Sequence, residues 1–240
     1  MSEVLSTPRR GLSGTALKYI ACVTMLLDHI GASCLENGFL NSTAAPPVLD
    51  TLDLALRLIG RVSFPIFCFL LVEGFVHTHN VRRYIGRLLL FGLVSEVPFD
   101  LAFFRTPFHW EDQNVYWTLA LGVLAMAALQ HFAPQDGPAD WRGLLCAGGC
   151  AVLALLAGTD YNAIGVLIIC ALYLTRADRR QQCIVGAVLF AFELTAPLAF
   201  VFIWHYNGQR GRCGKALQRG FYLFYPVHLA LLACITNLLL

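Results

Sequence analysis

Apolar runs fill most of this chain, and few charges interrupt them, which leaves very few folds open. Eight such runs occupy residues 17–33, 54–76, 85–104, 115–133, 144–157, 163–174, 184–204 and 221–240. About 20 apolar residues in a helix cross the ~30 Å hydrocarbon core of a bilayer. A soluble domain carries about 25% charged residues, because polar surface must cover its core. Here 58% of residues are hydrophobic, 13% are charged, and the mean hydropathy is +0.64. A soluble globular fold is excluded. The expectation is an all-α polytopic bundle of about eight transmembrane helices, one domain over residues 1–240, with residues 1–14 as a polar cytoplasmic tail. The fifth and sixth runs are short for full crossings and flank Gly158-Thr159-Asp160-Tyr161-Asn162, which predicts a tight turn between short or half-spanning helices.

The net charge is +2, and no basic domain is present, so nothing points to a nucleic-acid partner. Among the 17 basic residues only Lys18 and Lys215 are Lys. Arg offers a planar fork suited to carboxylate and phosphate, although a GC-rich genome gives the same bias. The nine cysteines lie mostly in apolar runs without zinc-ligand spacing, so they are expected to be buried hydrophobes, with neither a disulfide framework nor a metal site. The run after residue 14 lacks a small-residue cleavage site and is expected to be retained as the first helix.

Lys and Arg are enriched in cytoplasmic loops. Arg9, Arg10 and Lys18 therefore place the N-terminus inside, residues 36–53 with acids and no base belong outside, and Arg82, Arg83 and Arg87 return the chain inside. Arg176, Arg179 and Arg180 do so again. Eight simple crossings would then put residues 207–220 outside, although that loop holds Arg210, Arg212, Lys215 and Arg219. Either this basic loop is held outside for a reason, or one stretch is re-entrant; the favoured reading is a broken or re-entrant element near 184–204, which contains Glu193 and Pro197.

An ionisable group in hydrocarbon costs roughly 2.5–3.5 kcal/mol, so one that persists is a functional candidate. Asp28-His29 lies in the first run. Lys18 is eleven residues earlier, within ~20° of three full turns, so both project from one face about 16 Å apart. The alternative for His29 is a core histidine satisfied by a carboxylate. Arg57 and Arg61 share a face of the second run, Pro65 breaks its helix, and Glu73 needs a cation, for which Arg87 is the natural partner. An interhelical Arg–Glu brace would account for the same residues. Glu96, Pro98 and Asp100 on the third run suggest a polar cavity, Asn114 opens the fourth, and the last run supplies Tyr225 and a second intramembrane histidine, His228. The loop YNGQRGRCGKALQRG resembles a phosphate loop but has the wrong glycine spacing, Ala216 in place of Ser/Thr and no preceding strand. Its amides and arginines can still hold phosphate, or simply supply positive-inside charge.

The segments LKYIACVTMLLDHIG, LRLIGRVSFPIFCFLLVEGFVHTHN, RRYIGRLLLFGLVSEVPFDLAF, YNGQRG and FYLFYPVHL, with Asp160-Tyr161, resemble the TraX family over about residues 16–232. That family comprises membrane proteins associated with N-terminal acetylation of conjugative F-type pilin. The Lys18-x10-His29 spacing also resembles the Arg-x10-His element of the wider membrane acyltransferase group, with Lys in place of Arg. The resemblance implies a bacterial inner-membrane acetyltransferase that takes acetyl-CoA from the cytoplasm, needs no metal and uses an intramembrane His as base. Its partners would be the bilayer, an amine or hydroxyl acceptor such as a peptide N-terminus or amino sugar, and, in a homo-oligomer, a second copy.

The residues fit this chemistry. Neutral imidazole suits proton abstraction near pH 7. Asp28 points about 100° from His29 on a helix, so it serves another partner. Glu73, Glu96 or Asp100 would orient the ring from a neighbouring helix. Arg61, Asn114, Tyr225 and His228 are candidate oxyanion donors. Arg82, Arg83, Arg87, Arg210, Arg212 and Lys215, with Lys18, are candidates for the coenzyme A phosphates. The alternatives are a proton-coupled transporter with a relay of Asp28, His29, Glu73, Glu96 and Asp100, and a non-catalytic factor for pilus assembly.

Overall fold

A computed structural model describes residues 11–41, 46–133 and 140–239. Arg9, Arg10 and most of the expected tail lie outside these residues, as does the side chain of Lys215. Among the described residues there is no strand, and the elements are helices: α1 (Gly14–His29), α2 (Pro47–Gly60), α3 (Ser63–Val76), α4 (Val81–Phe103), α5 (Val115–Phe132), α6 (Trp141–Leu156), α7 (Asn162–Leu174), α8 (Arg179–Leu189), α9 (Ala199–Trp204) and α10 (Lys215–Leu239). A π-helix over Ile30–Glu36 continues α1.

The helix starts follow from the sequence. Side chains of Ser13, Asn80, Asn114, Asp140 and Asp178 accept from backbone N–H groups in the first turns of α1, α4, α5, α6 and α8, which satisfies donors that have no partner inside the helix. Pro47 opens α2, where its fixed φ and missing N–H suit the first position, so this helix begins before residue 54. Pro65 sits in the first turn of α3, and its ring excludes a normal helical carbonyl four residues back, at Arg61. The break between α2 and α3 falls there. Among the described residues, four helical segments are long and apolar enough to cross a membrane: Gly14–Glu36, Pro47–Val76, Val115–Phe132 and Ala216–Asn237. The outward surface is apolar, with Leu93, Leu153, Ile184, Val201 and Leu231 exposed, as lipid contact requires.

Inter-element hydrogen bonds fix the two ends of the bundle. At the end where α1 begins, Leu12 N–H donates to the His205 carbonyl (2.8 Å), and Gly14 and Thr15 N–H donate to the Gln209 and Arg210 carbonyls (2.9 and 3.0 Å). At the far end, Gln113 N–H donates to Gly158 O and Asp160 N–H to Gln113 O, both at 2.8 Å. There too Ser33 Oγ lies 3.2 Å from Thr236 Oγ1.

The run 184–204 does not traverse this bundle. α8 starts at the α1-start end, where Arg179 Nη2 lies 3.5 Å from Glu73 Oε1 and its guanidinium sits 5.2 Å from the Tyr206 ring. The helix ends at Leu189, turns carry the chain past Glu193, and α9 returns to His205 at the same end. This hairpin is the break expected around Glu193 and Pro197. It brings residues 207–214 to the end shared by Arg82, Arg83 and Arg179, which removes the charge conflict. α6 and α7 form the expected short pair around the 157–161 turn.

Cysteine labelling of intact vesicles should find residues 79 and 209 on one membrane face and residue 110 on the other, in a cysteine-free background. Opposite faces for 79 and 209 would contradict the hairpin.

Candidate functional site

His29 is the last residue of α1, and the wider turn of the π-helix begins directly after it. Such turns concentrate at functional sites. Its Nδ1 lies 2.7 Å from Nε2 of His228 on α10, with the two rings 12° from coplanar. His228 Nδ1 in turn lies 2.6 Å from the Phe224 carbonyl oxygen. Phe103 and Tyr225 present ring edges to His29 at 5.3 and 5.8 Å. Pro226, one turn from Tyr222, has no N–H, and the carbonyl it leaves free at Tyr222 accepts from the Tyr116 hydroxyl (3.2 Å).

His29 lines a cavity of about 400 Å³ with Asp28, Glu36, Arg57, Arg61, Tyr161 and Tyr225. Asp28 pairs with Arg57 (2.7 Å), which also reaches Glu36 (3.1 Å). The 100° offset of Asp28 from His29 thus serves another helix, as expected. The second Asp28 oxygen is buried without a hydrogen-bond partner. Arg61 pairs with Glu193 at 3.0 Å, and the Tyr161 hydroxyl donates to the other Glu193 oxygen at 3.5 Å. Tyr161 holds a left-handed backbone (φ 60°) and stacks on Phe64 at 3.6 Å. The hairpin tip is therefore tied into the wall of the His29 cavity.

A second cavity, of about 440 Å³, opens at the α1-start end and is lined by Lys18, Glu73, Arg87 and Arg210 among others. Phe67, Tyr116, Leu119 and Phe221 line both cavities and form the partition between them. Lys18 Nζ sits 5.5 Å from the Phe221 ring, and the Arg87 guanidinium lies 5.7 Å from both Tyr84 and Tyr222. Glu73 is engaged by Arg179. Among the described residues no carboxylate lies within ion-pair distance of Lys18, Arg87 or Arg210.

Several expectations need correction. The partner of Glu73 is Arg179, because α8 lies beside α3 at that end, whereas Arg87 faces tyrosines. None of Glu73, Glu96 and Asp100 reaches His29; His228 does. Glu96 accepts from Trp117 Nε1 (2.8 Å) and from the side chain of Asn114, whose Nδ2 also donates to the Gly92 carbonyl (2.8 Å). Both are taken up at the start of α5 and line neither cavity. Asp100 accepts from His109 N–H (2.8 Å). Arg82, Arg83 and Arg212 are exposed at the basic end outside the cavities. The loop after Tyr206 spends its Gln209 and Arg210 carbonyls capping α1, while the Arg210 side chain reaches the second cavity. The partners Arg57, Glu36, Tyr161 and Glu193 come from separated segments. Arg57 and Glu193 were marked in the sequence by charge inside apolar runs and Tyr161 by its place in the 158–162 turn, while Glu36 stood out only as an acid of the loop that follows the first run.

Gly60 lets α2 approach α1: a Cβ there would lie 2.2 Å from Asp28 Cβ. Gly60→Ala should destabilise the protein by about 1–3 kcal/mol through overpacking, read as a lower melting temperature in detergent. Unchanged melting would contradict the close approach.

The family described as TraX protein matches residues 13–236. A protein of Dichelobacter nodosus described as "Probable fimbrial assembly protein FimC, serogroup H1" is 32% identical over 248 aligned positions, covering 92% of this chain and 94% of its own. No solved structure matches the chain. The family match spans the α1 histidine, the α2–α3 arginines, the α8–α9 hairpin and the α10 histidine, and the chain belongs to the TraX family.

Proposed function

We propose that this protein is an inner-membrane acetyltransferase that moves an acetyl group from acetyl-CoA to an amine or hydroxyl acceptor. The supporting observation is the pairing of cavities: a histidine in a polar chamber inside an apolar bundle, separated by four side chains from a chamber lined by Lys18, Arg87 and Arg210. These cations suit the pyrophosphate and 3′-phosphate of coenzyme A. The basic end is the cytoplasmic one on the positive-inside rule, so the donor enters there and the N-terminus lies inside. The acceptor reaches His29 from the far end.

Bound acetyl-CoA supplies a thioester carbonyl open to attack. His29 takes the proton of the acceptor as its heteroatom bonds to that carbon, and returns it to the departing thiolate. Tyr225 and Arg61 line the same chamber and are the donors available to the oxyanion. Asp28, paired with Arg57, holds the wall.

The experiment is calorimetric titration of acetyl-CoA into purified protein, followed by mass spectrometry of a mixed panel of peptides, amino sugars and polyols. Saturable binding and acetylation of one acceptor class are expected. No binding by folded protein would overturn the proposal.

A second reading, a non-catalytic membrane factor in pilus assembly, is favoured by the description of the Dichelobacter relative as a probable fimbrial assembly protein. It requires no donor and no thiol release. A transporter relay is less well supported, because Glu96 and Asp100 are spent at the start of α5 and its loop while Glu73 lines the other chamber.

A further inference from the structure

The contacts of His228 determine more than its proximity to His29. A carbonyl oxygen cannot donate, so the 2.6 Å contact between His228 Nδ1 and the Phe224 carbonyl requires a proton on Nδ1. In a neutral ring Nε2 then carries the lone pair and is an acceptor. The 2.7 Å contact from His29 Nδ1 to that nitrogen therefore needs its proton on His29 Nδ1. One main-chain carbonyl on α10 thus sets the protonation pattern of two rings in series, from Phe224 through His228 to His29.

We infer that His228 is a positioning residue: it holds His29 in the Nδ1–H tautomer, which leaves Nε2 as the basic atom turned to the chamber. This rests on the acetyltransferase reading for its functional meaning. Chemically, His29 Nε2 accepts the acceptor's proton as the new bond to the acetyl carbon forms, the carbon–sulfur bond breaks, and the same proton passes from Nε2 to the leaving thiolate. The Nδ1–H bond to His228 is kept throughout, so His228 neither gains nor loses a proton and does not touch the substrates. The rest of the lock is aromatic. Phe224 and Tyr225 pack on the His228 ring at 4.7 and 5.7 Å, which limits its rotation.

In solution a free imidazole samples both tautomers. Removing the acceptor at position 228 should therefore leave His29 in a mixture and free to turn. The expected cost is roughly 10–100-fold in kcat with KM for acetyl-CoA little changed, as for other partners that orient a working histidine. His228→Gln keeps an acceptor oxygen at the end of the side chain and should recover much of that loss, whereas His228→Ala should not.

The deciding readout is nitrogen NMR of histidine-labelled protein in detergent at about pH 8, where the rings are neutral, with His29 assigned by the signal lost in His29→Ala. Wild type and His228→Gln should carry the His29 proton on Nδ1, and His228→Ala should show a mixture. A proton on Nε2 of His29 in wild type, or an unchanged tautomer in folded His228→Ala, would overturn the inference. The readout needs neither donor nor acceptor. An Nδ1–H tautomer in a protein that transfers no acetyl group would uphold the lock and overturn the enzyme.

Discussion

His29→Ala is expected to lower acetyl transfer by about 10²–10⁴-fold, the range removed with a general base, while acetyl-CoA binding stays close to wild type. The split arises because His29 lines the far chamber and the three cations line the other. Stopped transfer with intact binding places the defect at the proton-transfer step. A variant that binds poorly would mean that His29 supports the fold or the donor site. A variant that transfers normally would remove His29 from the chemistry.

The second large effect concerns the donor chamber. A hydrogen bond to a charged group contributes about 1.5–3 kcal/mol. Arg87 and Arg210 are solvent-exposed, and screening puts each near the lower end. Arg87→Ala and Arg210→Ala should each raise KM for acetyl-CoA about tenfold, and together about 100-fold, with kcat nearly unchanged. The effect should weaken in high salt, because it is electrostatic. Arg83→Ala provides the comparison: the same charge is lost at the same end but outside the chamber, so KM should hardly move. Equal losses at Arg83 and Arg87 would reduce the site to a general surface potential.

Much of this architecture was legible in the sequence because membrane solvent imposes simple rules. Apolar runs gave the helices, Pro65 gave the α2–α3 break, and the basic loop after Tyr206 favoured a chain that turns back near Glu193. Among the described residues four segments, against about eight expected, are long and apolar enough to cross, and the run 184–204 folds as a hairpin whose Glu193 meets Arg61 from another helix. The candidate histidines were found individually, as ionisable groups where charge is costly. Their 2.7 Å contact was not, because nothing local to α1 or α10 records that these helices face each other across 199 residues. The same reason explains the misassigned partner of Glu73: Arg87 is near in sequence, but packing decides, and α8 brings Arg179. Glu96 and Asn114 looked functional as polar groups in apolar runs, yet they are consumed at the start of α5.

The most direct measurement is free-thiol release from acetyl-CoA by the purified protein in proteoliposomes, with donor on one face and the mixed acceptor panel on the other. Release that requires an acceptor, tracks its acetylation and is lost in His29→Ala is the expected result. A folded wild-type protein that binds acetyl-CoA yet releases no thiol with any acceptor would contradict the enzyme and favour the non-catalytic assembly role.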